Sequence, residues 1–562
     1  EGSGLWYSTD SGETWSNIST NKGLPDGTLG IIGVTVSPVN SDRVWAIIEA
    51  EKGGVFRSDD GGKKWQQVNS NRLTVARAWY YIEIFADPKN ENGVYVLNAP
   101  VLKSLDGGKS FQNVPVAHTD QHDLWINPDN PNNMILGNDG GACITFNGGK
   151  TWSTQNNQPT AQFYRVIADE QFPYRIYAGQ QDNSAISIAS RTSGQGIDVR
   201  DWHSVAGGES AFLAFDPKNP QRIYGTSITG FVDVYDSESR MIKDIMVYPA
   251  VNLGRLPRNM KYRFNWNNPI VAQPQNPDIL YYGAQKVLRS DNGGLKWTEI
   301  SPDLTRNDTT KHGLGGEPFT NEAAGGEIYN TISYIQCSPS QAGVIWVGTD
   351  DGLVHLTLDE GKNWQNITPK NLSESLINAI EVSPHDPATA YLAVTRYKFG
   401  DTSPMIYITN DYGGSWRKAI DGLPKDNFVR VIREDKKRKG LLYAGTERGL
   451  YLSFDNGKYW TPFQSNLPVT PITDLTIADN DLVIATAGRA FWILDDLSAL
   501  QQSNGAPDGK KMKLFSPKPT VKFNTSTPPK PPVHQGQNVA NGVVFDYYLP
   551  HNWADSSELI LE

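Results

Sequence analysis

The chain of 562 residues is poor in cysteine, carries no excess of basic charge and lacks long apolar segments. Its two cysteines, Cys143 and Cys337, are far apart and form no CxxC pair, so neither a metal-binding cysteine motif nor a disulfide framework is indicated. The formal net charge of −10 argues against a nucleic-acid partner. No apolar run approaches the roughly 20 residues that a membrane-spanning helix requires.

The usual signatures of cofactor and nucleophile chemistry are also missing. The sequence contains no P-loop, no dinucleotide-binding fingerprint and no nucleophile elbow. We therefore predict that the protein uses no cofactor.

A short motif of the form Ser-x-Asp-x-Gly-x-x-Trp, in contrast, occurs eight times. Repetition at intervals of roughly 40 to 70 residues predicts a repeat architecture, and the many turn residues and aromatics favour the short strands of a β-propeller. The copies are STDSGETW (8–15), SDDGGKKW (58–65), SLDGGKSF (104–111), TFNGGKTW (145–152), SDNGGLKW (290–297), TLDEGKNW (357–364), TNDYGGSW (409–416) and SFDNGKYW (453–460).

Each part of the motif has a structural explanation. The Asp or Asn side chain is expected to accept hydrogen bonds from backbone amides of its own turn, and the Gly supplies a conformation that other residues avoid. The Trp leaves the turn and packs between neighbouring blades. The motif is thus predicted to stabilise the fold and not to catalyse a reaction.

Around these turns the sequence repeats a pattern of four predicted strands. This repetition predicts ten blades preceded by half a blade. Ten and a half blades fit two seven-bladed propellers, the first of them incomplete in this chain; one ten-bladed ring is the alternative. The predicted domains are the end of the first propeller (1–157), the second propeller (158–505), a Pro-rich linker (506–540) and the start of a truncated C-terminal β-sandwich (541–562).

The motif is the Asp-box, or BNR repeat. With phrases such as DQHDLWINPDNPNNMILGNDGG, SPDLTRND and ATAGRAFWILDD, the chain resembles bacterial sortilin-like proteins labelled "glycosyl hydrolase, BNR repeat". It distantly resembles family-74 glycoside hydrolases, which have tandem seven-bladed propellers and a catalytic Asp in each. That resemblance implies carbohydrate cleavage, whereas sortilin receptors, with one ten-bladed ring, imply peptide binding. Neither hydrolase aspartate can be placed on this sequence.

The order of strands separates the motif from a functional site. In a propeller blade, the loop before the first strand and the loop between the second and third strands lie on one face, and the motif turn lies on the other. In the first half of the chain, the site-bearing face is predicted to carry weak candidates for a metal site: His118, Asp120, His122 and Asp139. The alternative is that these polar residues line the water-filled mouth of the channel and bind no metal.

The same reasoning places a larger polar set around one mouth of the second propeller. The catalytic candidates are its carboxylates: Asp182, Glu209, Glu327 and Asp350. The ligand-binding candidates are amide, basic and aromatic residues: Gln181, Arg263, Trp266, Arg396, Arg448 and Arg489. Paired carboxylates would suit glycoside hydrolysis, while rim salt bridges are the alternative explanation of the set.

These observations predict an exported bacterial protein, located in the periplasm, at the outer membrane or outside the cell. It would bind or hydrolyse extracellular glycans, and whether it is an enzyme stays open. The alternative is a non-catalytic propeller that binds a peptide or protein in a cell-surface assembly.

Overall fold

The computed structural model describes residues 3–313, 328–503, 512–522 and 535–550. The chain divides into two compact units, one reaching to Gln158 and the other beginning at Pro159. Both consist of small antiparallel sheets, and one α-helix, Ser498–Gln502, occurs among the described residues. None of the described helices is both long and apolar enough to cross a membrane.

The first unit contains a strand pair, two four-stranded sheets and one three-stranded sheet. A 3₁₀ helix, Arg72–Val75, precedes the second four-stranded sheet. The strands are β1 (Trp6–Tyr7) and β2 (Ser16–Asn17); β3 (Ile32–Val36), β4 (Val44–Ile48), β5 (Gly54–Ser58) and β6 (Gln66–Asn69); β7 (Glu83–Ala86), β8 (Val94–Leu97), β9 (Val101–Ser104) and β10 (Gln112–Val114); and β11 (Gln121–Ile126), β12 (Met134–Asn138) and β13 (Gly141–Thr145).

The second unit contains seven sheets of consecutive strands before its α-helix. The first three sheets are β14 (Ile167–Ala168), β15 (Arg175–Gly179), β16 (Ala185–Ala189) and β17 (Trp202–Ser204); β18 (Leu213–Asp216), β19 (Asn219–Thr226), β20 (Val232–Asp236) and β21 (Met241–Asp244); and β22 (Ile270–Gln273), β23 (Asn276–Gly283), β24 (Val287–Ser290) and β25 (Thr298–Glu299).

The other four sheets continue the pattern, and the last has three strands. They are β26 (Ile332–Cys337), β27 (Ile345–Thr349), β28 (Val354–Thr357) and β29 (Gln365–Asn366); β30 (Leu376–Val382), β31 (Ala390–Thr395), β32 (Ile406–Thr409) and β33 (Arg417–Lys418); β34 (Val429–Glu434), β35 (Leu442–Thr446), β36 (Gly449–Ser453) and β37 (Thr461–Pro462); and β38 (Ile472–Ala478), β39 (Asp481–Thr486) and β40 (Phe491–Leu494). Short 3₁₀ helices lie at Ile228–Gly230, Pro257–Asn259, Thr309–Lys311 and Tyr397–Phe399.

The seven sheets of the second unit close into a ring. The N–H of Phe163 donates to the carbonyl of Thr486 at 3.0 Å, and Gln162 forms a β-bridge with Ala487. The phenol of Tyr174 donates to Asp481 at 3.1 Å. These contacts join the segment before the first sheet to the last sheet, so the all-β propeller expected from the repeat is confirmed, and this ring has seven sheets.

The sequence of each sheet explains which strand lies in the core. Every residue of the second strands β4 (VWAII), β27 (IWVGT) and β31 (AYLAVT) is buried. Such strands contact neighbouring sheets on both faces, which requires continuous apolar sequence and not alternation. The fourth strands, such as Gln365–Asn366, are short and exposed because they lie at the sheet edge.

The eight repeated turns share one hydrogen-bond pattern, shown by the copy at Ser58. The Ser58 hydroxyl donates to Asp60 at 2.9 Å and accepts from the N–H of Gly62 at 2.9 Å. Asp60 Oδ1 accepts from the N–H of Lys64 at 2.8 Å. Ser58 is 1% exposed and Asp60 is half-buried, so the hydroxyl and not the carboxylate is the buried member.

The indole of the motif also links sheets in the second unit, as the sequence predicted. Trp460 Nε1 donates to the carbonyl of Ala419 at 3.0 Å, and Trp416 Nε1 donates to that of Ile367 at 2.7 Å. In both cases the acceptor follows the fourth strand of the preceding sheet. In the second unit the turns therefore act within a sheet through the hydroxyl and between sheets through the indole, whereas in the first unit the indoles of Trp15 and Trp65 donate within their own turns.

The C-terminal region packs on the second unit. Strand β41 (Lys513–Leu514), in the segment predicted as a Pro-rich linker, pairs with β42 (Tyr547–Tyr548), in the segment in which a β-sandwich was expected to begin. Ile197 and Gly536 exchange two backbone hydrogen bonds of 2.8 Å. Residues 551–562 of the expected β-sandwich lie outside the described residues, as does part of the Pro-rich linker.

Candidate functional site

Three of the four catalytic candidates lie at the same end of their sheets. Asp182 follows the second strand of its sheet, Asp350 follows β27, and Glu209 precedes β18. The repeated turns join third and fourth strands, which places them at the opposite end. Glu327, the fourth candidate, lies outside the described residues.

A cavity of about 490 Å³ opens at this end of the ring. Its walls combine a carboxyl group, several aromatic rings and three basic side chains. The aromatic residues are Tyr164, Trp266, Tyr329, Tyr397 and Phe399; the basic ones are Arg165, Lys398 and Arg430; and the carboxyl group is that of Asp350.

Asp350 is 8% exposed and is held in place by hydrogen bonds. Its carboxyl group accepts from the N–H of Thr331 at 2.9 Å, from the Thr331 hydroxyl at 2.7 Å and from Asn265 Nδ2 at 3.3 Å. Burial raises the pKa of Asp350 to about 7, although the hydrogen bonds from Thr331 oppose this effect. At neutral pH the group can therefore either donate or accept a proton.

The adjacent carboxylate, Asp351, has a different environment. It is fully buried, and its Oδ2 accepts from the N–H of Arg306 at 2.8 Å and from Asn330 Nδ2 at 2.6 Å. Its Oδ1 accepts from the hydroxyl of Thr349 at 2.5 Å. With both oxygens occupied by neighbouring loops, Asp351 stabilises the loop that presents Asp350.

Glu209 belongs to a compact polar group with Gln181 and Asp182. Its Oε2 accepts from Gln181 Nε2 at 3.0 Å and from the N–H of Asp182 at 2.8 Å. Gln181 Nε2 also donates to Asp182 Oδ1 at 2.8 Å. Asp182 has a φ of 60°, a left-handed conformation that turns the loop towards Glu209. Three sequence candidates from two neighbouring sheets are thus in direct contact.

Tyr164 connects this polar group to the cavity. Its phenol donates to Gln181 Oε1, and its side chain contributes to the cavity wall together with Trp266. Burial raises the pKa of Tyr164 to about 12, so the phenol stays a donor at neutral pH. Gln181 therefore links Glu209 to Tyr164, which lies in the same cavity wall as Asp350.

Two of the predicted ligand-binding arginines are held by partners away from the cavity wall. Arg263 is 7% exposed and pairs with Asp303 at 2.9 Å. Arg396 donates from Nε to the carbonyl of Glu374 at 3.0 Å and lies 3.4 Å from Asp401. Neither side chain is among those that line the cavity.

The other two arginines also lie outside the wall. Arg448 forms an exposed pair with Asp426 at 2.9 Å. Arg489 is exposed, and its carbonyl accepts from the indole of Trp492 at 3.0 Å. Of the ligand-binding candidates, Trp266 lines the cavity and Gln181 contacts one of the tyrosines in its wall.

Sequence reasoning missed several cavity residues that directly follow chosen positions. Arg396 is a predicted ligand-binding residue, but the next three residues, the 3₁₀ turn Tyr397–Phe399, supply two aromatic rings and an amine to the wall. Tyr164 and Arg165 are not among the predicted residues, although an Arg in the otherwise apolar segment FYRVIA is a usable signal. Asn265, beside Trp266, donates to Asp350.

The weak metal candidates in the first unit form pairs. His122 Nε2 lies 2.7 Å from Asp139 Oδ1, and Asp120 accepts from the phenol of Tyr81 at 2.5 Å. His118 Nδ1 lies 3.0 Å from the carbonyl of Thr119. Within the described ranges, no group of three or more His, Cys, Asp or Glu side chains is arranged to hold a metal ion.

Comparison with known proteins identifies distant relatives of this chain. A probable oligoxyloglucan-reducing end-specific xyloglucanase from Neosartorya fischeri is 24% identical over 459 residues, covering 78% of this chain and 48% of that protein. A xyloglucanase from Hypocrea jecorina is 22% identical over 505 residues, covering 82% of this chain and 54% of that protein. The chain is a distant homologue of xyloglucanases. It spans about half the length of these relatives.

Other comparisons are weaker. No protein-family profile matches the chain. The crystal structure of the Niastella koreensis GH74 enzyme covers 83% of this chain and 76% of its own, at 13% identity and a TM-score of 0.27. At such a score the likeness carries no argument about the site.

Proposed function

We propose that this protein binds and hydrolyses an extracellular glycan at the mouth that Asp350 and Glu209 share. The observation that carries the proposal is Asp350 itself, a buried carboxyl group with a pKa of about 7 in the wall of a cavity of about 490 Å³. Perturbed carboxyl groups in clefts lined by aromatic residues are typical of functional sites. The distant homology to xyloglucanases supports a glycan as the ligand.

The chemistry assigns different tasks to the two carboxyl groups. Protonated Asp350 would donate its proton to the glycosidic oxygen as the bond to the leaving sugar breaks, which is general acid catalysis. Glu209, with its Oε2 oriented by Gln181 and by the N–H of Asp182, would be the second carboxylate, acting on water or on the anomeric carbon. Trp266 and Tyr397 would stack against sugar rings.

The same proposal includes that the protein is a sortilin-like Asp-box protein and that it is exported. The shared hydrogen-bond pattern of the eight turns supports their assignment as Asp-boxes. A sortilin-like protein that acts on extracellular glycans would be exported, to the periplasm, the outer membrane or the medium. Detection of the protein in cell fractions of the producing organism tests this location directly.

The decisive experiment measures binding and turnover separately. The full chain is incubated with a panel of polysaccharides, and released reducing ends are counted. Asp350→Asn is expected to abolish release while retaining binding, since the amide keeps its shape but cannot donate the proton. Asp426→Asn, at an exposed ion pair outside the cavity, is the matched control and should remain active.

Turnover should also fall as the pH rises through about 7, because deprotonated Asp350 can no longer act as an acid. Binding of glycans without release by the wild type would leave a binding protein and refute the catalytic part. Failure to bind any glycan would refute the proposal and leave the protein-binding propeller as the explanation.

A further inference from the structure

The central channel of the second unit contains two cavities that share one arginine. The first is the cavity of about 490 Å³ beside Asp350. The second, of about 510 Å³, lies further along the channel and is lined by Tyr334, Arg433 and Asp474. Arg165, two residues before β14, contributes to the walls of both.

The guanidinium of Arg165 forms no ion pair with a carboxylate among the described residues. No described residue accepts a hydrogen bond from its buried Nε or Nη1. Its Cζ lies 5.0 Å from the ring centre of Phe212 and 5.2 Å from that of Tyr334, so aromatic rings surround the charge. Burial lowers the pKa of Arg165, yet a guanidinium stays charged in proteins.

The carboxylate that attracts Arg165 is already occupied. Asp474 Oδ1 accepts from Arg433 Nη2 at 2.7 Å and from the N–H of Leu475 at 2.9 Å, and its Oδ2 accepts from the N–H of Val166 at 3.0 Å. Arg433 also lies 3.6 Å from Glu381 Oε2, so Asp474 and Glu381 both pair with Arg433, and among the described residues neither comes within ion-pair distance of Arg165. A buried cation without a partner is costly, and a bound anion would offset that cost.

The cavity beside Asp350 has a positive wall. Its described charged residues are Arg165, Lys398, Arg430 and Asp350. Arg430 pairs with Glu447 at 2.7 Å, but Glu447 is not part of the wall. With Arg430 paired, Arg165 and Lys398 are the two cations of the wall that form no ion pair with a described residue. They face one carboxyl group, which is neutral below a pH of about 7 because burial raises its pKa.

We propose that this cavity binds an acidic glycan and that Arg165 holds the anionic group of one sugar. The inference rests on the proposed function and names its substrate class. The aromatic rings of Trp266, Tyr397 and Phe399 would pack against sugar rings, while the guanidinium and Lys398 would contact a carboxylate or a sulfate group. A neutral sugar would leave Arg165 without a counter-ion.

The test compares ligands that differ only in charge. Calorimetric titration of the full chain with a galacturonic acid hexamer and with its fully methyl-esterified form isolates the carboxylate. We expect the acid to bind at least tenfold more tightly than the ester and to lose affinity with added salt. A sulfated galactose hexamer and its unsulfated form distinguish a sulfate-binding site from a uronate-binding one.

Two variants assign the effect to residues. Arg165→Met, which keeps an unbranched apolar side chain and removes the guanidinium, should remove most of the preference for the acid and affect the affinity for the ester far less. Lys398→Gln is at an exposed position and should weaken binding of the acid several-fold without any change in melting temperature. If Arg165→Met fails to fold, the Lys398 variant still measures the charge preference.

The outcomes separate this inference from the proposed function. Equal affinity for acid and ester, or binding of a neutral xyloglucan oligosaccharide alone, would overturn the acidic ligand and leave glycan binding intact. Tight binding of the acid with undiminished turnover in Asp350→Asn would support the acidic ligand and refute the catalytic proposal. Equal loss of both ligands in Arg165→Met would assign that residue to the fold.

Discussion

Replacing Asp350 by Asn should change how the stability of the protein depends on pH. The folded-state pKa of Asp350, about 7, lies well above its ordinary value of 3.8 because burial disfavours the charged form. A carboxyl group with a raised pKa binds its proton more tightly in the folded state. Its contribution to stability is therefore fully present below pH 3.8 and is lost as the pH rises towards about 7.

The size of the effect follows from the shift. A difference of about three pKa units at about 1.4 kcal/mol per unit corresponds to roughly 4 kcal/mol of unfolding free energy, lost progressively between about pH 4 and pH 7. The Asn side chain does not titrate, and it keeps an oxygen that can accept from Thr331. The stability of the variant should therefore change less over this range than that of the wild type.

The assay is chemical denaturation of both proteins at several pH values between 4 and 8. The difference in unfolding free energy, variant minus wild type, should grow in favour of Asn as the pH rises and level off above about 7. Curves that stay parallel over the whole range would show that Asp350 titrates normally. In that case Asp350 would be charged at neutral pH and could not act as the proposed acid.

Three further outcomes follow from the described contacts. Ser58→Ala should lower the unfolding free energy by about 1 to 3 kcal/mol in calorimetry, because a buried N–H loses its acceptor, whereas Ser8→Ala, in a more exposed copy of the turn, should cost less. Hydroxyls of Ser415 and Thr409 lower the pKa of Asp411 to about 2, so circular dichroism should show stability lost as the pH falls from about 4 to about 2. Glu209→Gln should weaken glycan binding about tenfold in titration at an unchanged melting temperature; unchanged affinity would remove Glu209 from the site.

The fold could be predicted from the sequence because its information is local and repeated. Each copy of the motif fixes a turn through atoms within five residues, such as the contact of Ser58 with Gly62. The buried second strands are continuous apolar runs, which a reader of the sequence can recognise. Blade number then follows from counting, and the sheets between Ile167 and Leu494 close into the seven-membered ring that this count favoured for the second propeller.

The site could be predicted only in part, because strand order gives the face of a residue and not its surroundings. It placed Gln181, Asp182 and Glu209 at one mouth, where they contact one another. It could not distinguish Asp350, in the cavity wall, from Asp351, whose oxygens are occupied by neighbouring loops. The difference comes from contacts with segments up to 85 residues away, as between Asn265 and Asp350.

The surroundings of the basic residues could not be predicted from the sequence either, and they bear on the function. Arg263, Arg448 and Arg165 are equally cationic in the sequence, but two of them are paired with carboxylates. Arg165 has no such partner among the described residues and lies in the wall of the cavity that also contains the poised carboxyl group. The cavity wall thus combines Asp350, which could protonate a leaving sugar, with Arg165, a cation that could bind an anion. This combination is expected of a site for acidic glycans. Since a fold-stabilising role requires neither an unpaired charge nor a raised pKa, the two features together favour a ligand over a closed rim of salt bridges.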